Sequence, residues 1–599
     1  MEGSVTKKEK VFNIVFIILS VIFSVTLFIM METVNGDLSQ MIFPLGLLNL
    51  VLIFFLLITF FVITGSLRSA VIINSLFLLV FTLSDYFVSQ FRGVPLLAPD
   101  LLVAKTAFSV AGGFTYTMSG AVKLYMILTF VIIMTAALFP AKVSLKGRLR
   151  LNAFLGYAVL AVIFIYLFIF SSMLEKAGAT VSHFNPQRSY AENGGLVSFI
   201  RSGQMAVLKK PEGYSEDRVA KILEKYEKEY DSDAGEYKKP NVIVMMNEAF
   251  SDLQTVGKGF ETDSDVMPFI HSLEENTIKG TAYSSVFGGY TANSEYEFLT
   301  GFSMEGLGGV APFQFLIKSP TESLARDLEK EGYAAPVAMH PYIKSGYQRP
   351  LAYKQLGFSS YIALEDIEDK GYDTLRGYIS DKADVRELIS IYEDIRAKDD
   401  SPVFLYNVTM QNHAPYDGEY EDLLADVFVS DKELATDDLE NYLSLIKRSD
   451  EAFESLVEYF ENVDEDTVIV LFGDHEPKLG NKFYKKLLGK KVSKLGPKES
   501  MERYKVPYVI WTNYDIEKRD YGDISLNYLA SIMAQASGMK LTPMQRYLLE
   551  LRQSLPVVTA VGCIDANGDF YQTDDGDMPY RNMLDEYECI RYRALTDVR

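Results

Sequence analysis

The chain has 599 residues and a formal net charge of −21, and 48% of its residues are hydrophobic. Residues 1–175 hold only 11 basic and 7 acidic side chains, so the negative excess lies C-terminal, which argues against nucleic acid as a partner because binding phosphates requires Lys and Arg. The two cysteines, Cys563 and Cys589, are unlike a zinc site in spacing and leave either one disulfide or two free thiols.

Five apolar stretches, uncharged except for Asp85 near one end of the third, are long enough to cross a bilayer, which takes about 20 apolar residues. They run Val11–Met30, Met41–Thr64, Ser69 to about Phe91, Leu124 to about Ala141, and Leu151–Met173. Lys7, Lys8, Lys10, Arg68, Lys142, Lys146, Arg148 and Arg150 share one side of this pattern. The positive-inside rule therefore predicts a cytoplasmic N-terminus, and the odd span count predicts that everything after Met173 is extracytoplasmic. A connector follows, 176–239, with SHFNPQRSYAENGGLVSF and then EDRVAKILEKYEKEY, a surface helix with Val219, Ile222, Leu223 and Tyr226 on one face.

From Pro240, short apolar runs alternate with longer amphipathic segments, the pattern of an α/β sheet. NVIVMMNE, SPVFLYNVTM, DTVIVLFGD and YKVPYVIWT are the clearest strands; TESLARDLEKEGY and DDLENYLSLIKRSDEAFESLVEYFENV read as covering helices. In such sheets the ligand site lies beyond the carboxyl ends of the strands. Glu248, His413, and Asp474 with His475 stand there, and together they offer oxygen and imidazole ligands suited to one divalent ion. Taken singly, each is more often a turn or cap residue than a functional one. The fourth element is FGGYTANSEYEFLTG, which puts Thr291 at the start of a helical pattern, where dipole and free amides favour a phosphate. Its bland alternative is that Thr291 or Ser294 is only an N-cap, with Glu295 or Glu297 beside it. His183 and His271 read as ordinary surface or packing residues, and Trp511 as core.

In order, NEAFSDL, GGYTANSEYEFLTG, HPYIKSGYQRPLAYKQLGF, MQNHAPY and VIVLFGDHEPKLG resemble the lipoteichoic acid synthase and phosphoglycerol transferase family, within the sulfatase and alkaline phosphatase superfamily. The resemblance runs from the spans to about residue 545, and FRGVPLLAPDLL is similar to the family's outer loop. It implies a five-helix transmembrane domain (1–175), the linker (176–239), an extracytoplasmic sulfatase-like α/β domain (240–545) and an unassigned C-terminal extension (546–599). The ion, manganese with magnesium or zinc as alternatives, would be held by Glu248, Thr291, Asp474 and His475. Thr291 would be the nucleophile, with His413 and Arg349 at the phosphate and His340 beside them.

The implied activity moves glycerophosphate from a phosphatidylglycerol-type lipid to a glycolipid, polymer or glycan acceptor at a bacterial cell membrane, through a threonine-linked intermediate. Where the family commonly has Trp and Asp around the glycerol, this chain has Tyr347 and Tyr342, which leaves the head group open. The alternatives are a phosphoethanolamine transferase of the same superfamily, which usually carries several disulfides, and a membrane-anchored binding protein without turnover. An arylsulfatase needs Cys or Ser in a C-x-P-x-R context, which neither cysteine provides.

Overall fold

The computed structural model describes every residue except 1–5, 37, 93–94, 99, 102–116, 180–185, 206–207, 258–259, 308–309, 574 and 597–599. His183, the start of the SHFNPQ connector and parts of the FRGVPLLAPDLL motif lie outside the described residues. Contacts divide the chain into two compact units, the first ending at Val207 and the second taking up the chain from Leu208. The stretch 176–239 is thus shared between them.

In the first unit, five helices are long and apolar enough to cross a membrane: Lys7–Asn35, Phe43–Thr64, Leu67–Gln90, Gly120–Leu138 and Gly147–Phe170. Their outward faces carry exposed Ile14, Ile58, Val80, Phe130 and Val162, as lipid contact requires. Several polar residues buried among them are tied to backbone. The Ser20 and Ser24 hydroxyls donate to carbonyls four residues earlier, and the Asn49 oxygen accepts from Leu196 N and Val197 N at 3.1 Å. Asn49 Nδ2 donates to Asn193 O, so this one side chain fastens the start of the Gly195–Met205 helix.

The second unit is built on an eight-stranded sheet. In chain order its strands are β1 (Asn241–Asn247), β2 (Thr277–Tyr283), β3 (Val337–His340), β4 (Ser360–Ala363), β7 (Phe404–Val408), β8 (Thr467–Gly473), β9 (Lys505–Thr512) and β10 (Ile524–Ser525). Between β4 and β7, β5 (Thr374–Leu375) and β6 (Tyr378–Ile379) pair as a separate small ribbon. The order across the sheet is β10-β2-β9-β8-β1-β7-β3-β4, parallel except for β9. The four strands anticipated from apolar runs are β1, β7, β8 and β9; β1, β7 and β8 are buried along their whole length, as strands covered on both faces must be. The Asp437–Glu461 and Asp381–Arg396 helices pack against the sheet around Tyr442, Phe453 and Phe460. Trp511 lies in this core.

The helix read as a surface element of the linker, Glu216–Ser232, buries Val219, Leu223 and Tyr226 against the helices Pro543–Ser554 and Arg581–Thr596. The C-terminal residues are thus part of this unit. Cys563 and Cys589 are both buried and free, which decides between disulfide and thiols.

Candidate active site and metal centre

Strand register alone brings the polar side chains together. β1 runs parallel to β8 with Asn247 opposite Gly473, so the next residues, Glu248 and Asp474, leave the sheet side by side. On the other side of β1, Met246 pairs with Val408, and β3 follows with Met339 opposite Asn407. His340 therefore stands next to Val408, whose carbonyl receives its Nδ1 proton at 2.8 Å. Gly473 is required at this edge, since a Cβ there would lie 1.9 Å from Phe250 O in the turn that follows Glu248.

Glu248, Asp474 and His475 are all buried and offer ligand atoms within 4.8 Å of one another, the one such group among the described residues. The Asp474 Oδ1 accepts from Ala249 N (2.7 Å) and His475 N (2.8 Å), while its Oδ2 has no hydrogen-bond partner. The His475 Nδ1 lies 2.9 Å from Glu476 O; a carbonyl only accepts, so Nδ1 carries the proton and Nε2 presents a lone pair. That Nε2 has no hydrogen-bond partner either, and it faces Asp474 Oδ2 at 3.2 Å and Glu248 Oε1 at 3.6 Å. Burial pushes the Glu248 carboxyl well above the usual carboxylate range, and the facing Asp474 adds to the rise. Burial also raises Asp474, against the pull of His475. Two crowded carboxylates and an open imidazole nitrogen in a dry site fit a divalent cation, whose charge removes the repulsion and whose coordination uses the open atoms.

Thr291 arrives from β2, which points the same way as β8. It is the first residue of the Thr291–Thr300 helix and donates to Glu248 Oε2 at 3.1 Å. The N-cap alternative does not hold. The N-cap position is Tyr290, held at φ 68 after Gly288 and Gly289, and the Ser294 hydroxyl instead donates to Asp474 O at 2.6 Å. All ten residues of this helix are buried, so each polar one needs a partner within the protein. Glu295 accepts from Arg349 Nε (3.1 Å) and Nη2 (2.7 Å) and from the Tyr353 hydroxyl.

Arg349 is itself buried, follows Tyr347 and Gln348 at φ 51 and 57, and stacks its guanidinium on Tyr347 at 5.2 Å. Two consecutive non-glycine residues in the left-handed region store strain that an ordinary turn would avoid. The result aims Arg349 at the Thr291 helix. Its positive charge reaches both Glu248, lowering that carboxyl, and His340, which burial and Arg349 hold well below the usual imidazole range.

His413 sits in the loop after β7. Its Nδ1 lies 2.7 Å from Ala414 O, and burial, with smaller contributions from His475 and Arg376, brings its pKa down to about 4. It is neutral near pH 7, with its proton on Nδ1 and Nε2 left as an acceptor. The ring row His340, Tyr342, Tyr378, His413 runs at centroid spacings of 6.2, 5.9 and 5.9 Å. Arg376 fixes its far end, donating to Gln411 O and His413 O at 2.8 Å and lying against Tyr378, Tyr416 and Tyr420.

Tyr353, Arg376 and Tyr378 belong to this arrangement and escaped the sequence reading, which named Glu295 only as a neighbour of a helix cap. Glu295 and Tyr353 sit in helices whose partners come from elsewhere in the chain, Tyr378 comes from a two-residue strand and Arg376 from the turn between β5 and β6, with no periodicity to read.

A sulfatase family model matches residues 240–539. A Rhizobium meliloti protein named for cyclic beta-1,2-glucan modification is 32% identical over 376 residues, 61% of this chain and 56% of its own length. A Staphylococcus saprophyticus lipoteichoic acid synthase is 24% identical over 292 residues, 47% of this chain and 43% of its own. The chain thus spans about half the length of these curated relatives. The solved Streptococcus pyogenes phosphoglycerol transferase GacH is 22% identical with a TM-score of 0.53, over 65% of this chain and 95% of that one, a likeness in fold. With half its length matched by that family model, and with five apolar helices before the matched domain, the chain is a multi-pass membrane protein that belongs to the sulfatase family.

Proposed function

We propose that the protein is a metal-dependent phosphoglycerol transferase, anchored with a cytoplasmic N-terminus and an outer catalytic domain, that moves glycerophosphate from a phosphatidylglycerol-type lipid to a cell-envelope glycan, glycolipid or polymer. The observation that carries this is Thr291: a hydroxyl at the head of a buried helix, bonded to Glu248, beside Asp474 Oδ2 and His475 Nε2 that have no other partner. A simple binding protein has no use for such a nucleophile. The names of the relatives, lipoteichoic acid synthase, phosphoglycerol transferase and glucan modification, favour glycerophosphate and a glycan or polymer acceptor.

Glu248, Asp474 and His475, with Thr291, would hold one divalent ion, manganese in our reading. When bound, it supplies Lewis-acid polarisation of the phosphoryl oxygen and a lower pKa for the coordinated hydroxyl. The remaining steps fall to the chain. Thr291 Oγ1 attacks phosphorus and its proton passes first to Glu248; the bond to diacylglycerol breaks, and the lipid leaves as the alcohol, so the net proton moves from nucleophile to leaving group. Arg349, held by Glu295, places positive charge beside the phosphoryl oxygens, and His340 and Tyr347 border the same space. In the second step the acceptor hydroxyl attacks phosphorus and the bond to Thr291 Oγ1 breaks; the acceptor's proton, received first by the neutral His413 Nε2, ends on Oγ1 and restores the threonine. The spans keep the site near a donor confined to the outer leaflet.

Mass spectrometry of the full-length protein incubated with phosphatidylglycerol or phosphatidylethanolamine vesicles tests this. The expected result is a glycerophosphoryl adduct on Thr291 from the first lipid. An adduct from phosphatidylethanolamine alone transfers the reading to a phosphoethanolamine transferase, and none from either overturns it.

A further inference from the structure

The C-terminal residues lie beyond the matched family domain, which ends at 539, yet they grip the helix that presents Thr291. That helix closes at Gly301, φ 73. Tyr587, fully buried in the Arg581–Thr596 helix, donates its hydroxyl proton to Gly301 O (2.8 Å) and accepts from Ser303 N (2.6 Å) and Asn527 Nδ2 (3.2 Å). One turn on, Arg591 Nη1 donates to Ser303 O (2.9 Å) and to Glu305 O. The small sheet of β11 (Val557–Val558), β12 (Cys563–Ile564) and β13 (Phe570–Tyr571) adds two more ties. Ser303 Oγ donates to Val558 O at 2.7 Å, and Ala560 N donates to Ser285 Oγ at 3.0 Å.

Ser285 closes the circuit. Its hydroxyl donates to Glu297 Oε1 at 2.6 Å, the same oxygen that accepts from Met304 N at 2.9 Å. Glu297 belongs to the Thr291 helix, so the segment before the nucleophile, the helix itself and the loop after it are fastened to one another and to the C-terminal module.

We propose that the small sheet β11–β13 and the Arg581–Thr596 helix are a brace for catalysis, and that Tyr587 and Arg591 are positioning residues that act on Thr291 through the helix between them. The inference rests on the reading of Thr291 as nucleophile. The hydrogen bond from the Thr291 hydroxyl to Glu248 is made through the proton that must leave, so it does not outlast the attack, and the direction of the Thr291 side chain has to come from the backbone as well. A ten-residue helix is a stiff rod about 15 Å long, so a displacement at Gly301 is carried to Thr291. In-line attack tolerates little of it: about 1 Å costs roughly a hundredfold in rate.

The test measures formation of the Thr291 adduct in the full-length protein by rapid quench with phosphatidylglycerol vesicles, recording rate constant and amplitude separately. Tyr587→Phe removes the shared hydroxyl; Arg591→Lys keeps the charge but replaces a planar fork by a point donor. The expected result for both is a rate constant lower by about tenfold or more at an amplitude and bound-metal content near those of the parent. A module that serves stability alone lowers the amplitude, as fewer molecules fold, and leaves the rate constant of the folded fraction unchanged; that result overturns the proposal. If Tyr587→Phe does not fold, Arg591→Lys decides by the same pair of readings. A parent that forms no adduct, or a Thr291→Ala variant that still turns over lipid, removes the nucleophile reading itself, a failure recognisable by its appearance in the controls.

Discussion

Two histidines of the second unit each stand between two carboxylates, and their surroundings make them different groups. His475 faces Asp474 and Glu248 with all three side chains at most 4% exposed, and its Nε2 is left without a hydrogen bond. His271 faces Asp265 at 2.9 Å and Asp252 at 3.6 Å, but its side chain is 40% exposed and that of Asp265 46%. In water the proton is the cheapest countercharge, and His271 takes it: hydrogen bonding to Asp252 is the leading cause of a pKa raised to about 9. In the dry site two carboxylates need more positive charge than one proton supplies, and a lone pair is already turned inward. Similar residue types thus make a surface ion cluster in one place and a candidate metal centre in the other, and burial decides between them.

The largest expected effect removes the group that gives the buried cluster its chemistry. Thr291→Ala should lower lipid turnover by at least roughly a thousandfold while the protein stays folded and still binds an ion through Glu248, Asp474 and His475. Turnover, bound metal and thermal midpoint measured on one preparation check it. A folded, metal-loaded variant consuming lipid near the parent rate would refute the covalent mechanism. Next comes the ligand itself: His475→Ala should cut metal occupancy and activity together, each by more than about a hundredfold in apparent affinity or rate. Metal titration followed by activity at saturating ion separates lost binding from lost chemistry.

Arg349→Lys sharpens the contrast from the second sphere of charge. Glu295 is fully buried, and a lysine offers it one point contact in place of two parallel bonds. We expect about tenfold to a hundredfold lower kcat/KM and a stability loss of about 1–3 kcal/mol. Denaturant titration beside steady-state kinetics reports both; an unchanged kcat/KM would show that the Arg349 charge does not reach the phosphoryl group.

How much of this was legible in the sequence follows from what each element asks of its residues. A bilayer demands an unbroken apolar length, so the five spans stand out. Strands β1, β7 and β8 are covered on both faces and read as continuous apolar runs, and the groups at their ends, Glu248, His413, Asp474 and His475, could be listed from those runs alone. β2, with Lys279 and Gly280 at its centre, and the short β3, β4 and β10 lack any such signal. The Thr291 helix is misleading in the opposite sense. TANSEYEFLT is rich in polar residues, yet every residue is buried, and Arg349, Ser285 and Asp474 supply partners from 12 to 180 residues away. Such pairings exist only after folding. The same holds for Tyr587 and Gly301, which lie 286 residues apart.

The smallest expected effect belongs to the other histidine, and it is where the comparison is most easily lost. If His271 is only a solvated ion cluster, His271→Ala leaves metal content and lipid turnover within about twofold of the parent, since surface changes away from a site seldom cost more than about 0.5 kcal/mol. Its stability effect should depend on pH in a definite sense. The folded pKa of about 9 lies above the ordinary 6.5, so the folded state binds the proton more tightly than the unfolded chain does. The resulting stabilisation is fully present below about pH 6.5 and is lost as pH rises through about 9, and solvent screening at a group this exposed keeps it small. The parent should therefore exceed His271→Ala in thermal midpoint by more at pH 6 than at pH 10, and taking the difference between two proteins at each pH cancels the titration of every group they share. A gap that is equal at both values, or that widens toward pH 10, would mean that His271 is not held protonated between Asp265 and Asp252. A loss of bound metal in His271→Ala as large as that in His475→Ala would be the graver result, because burial would then no longer distinguish the two clusters.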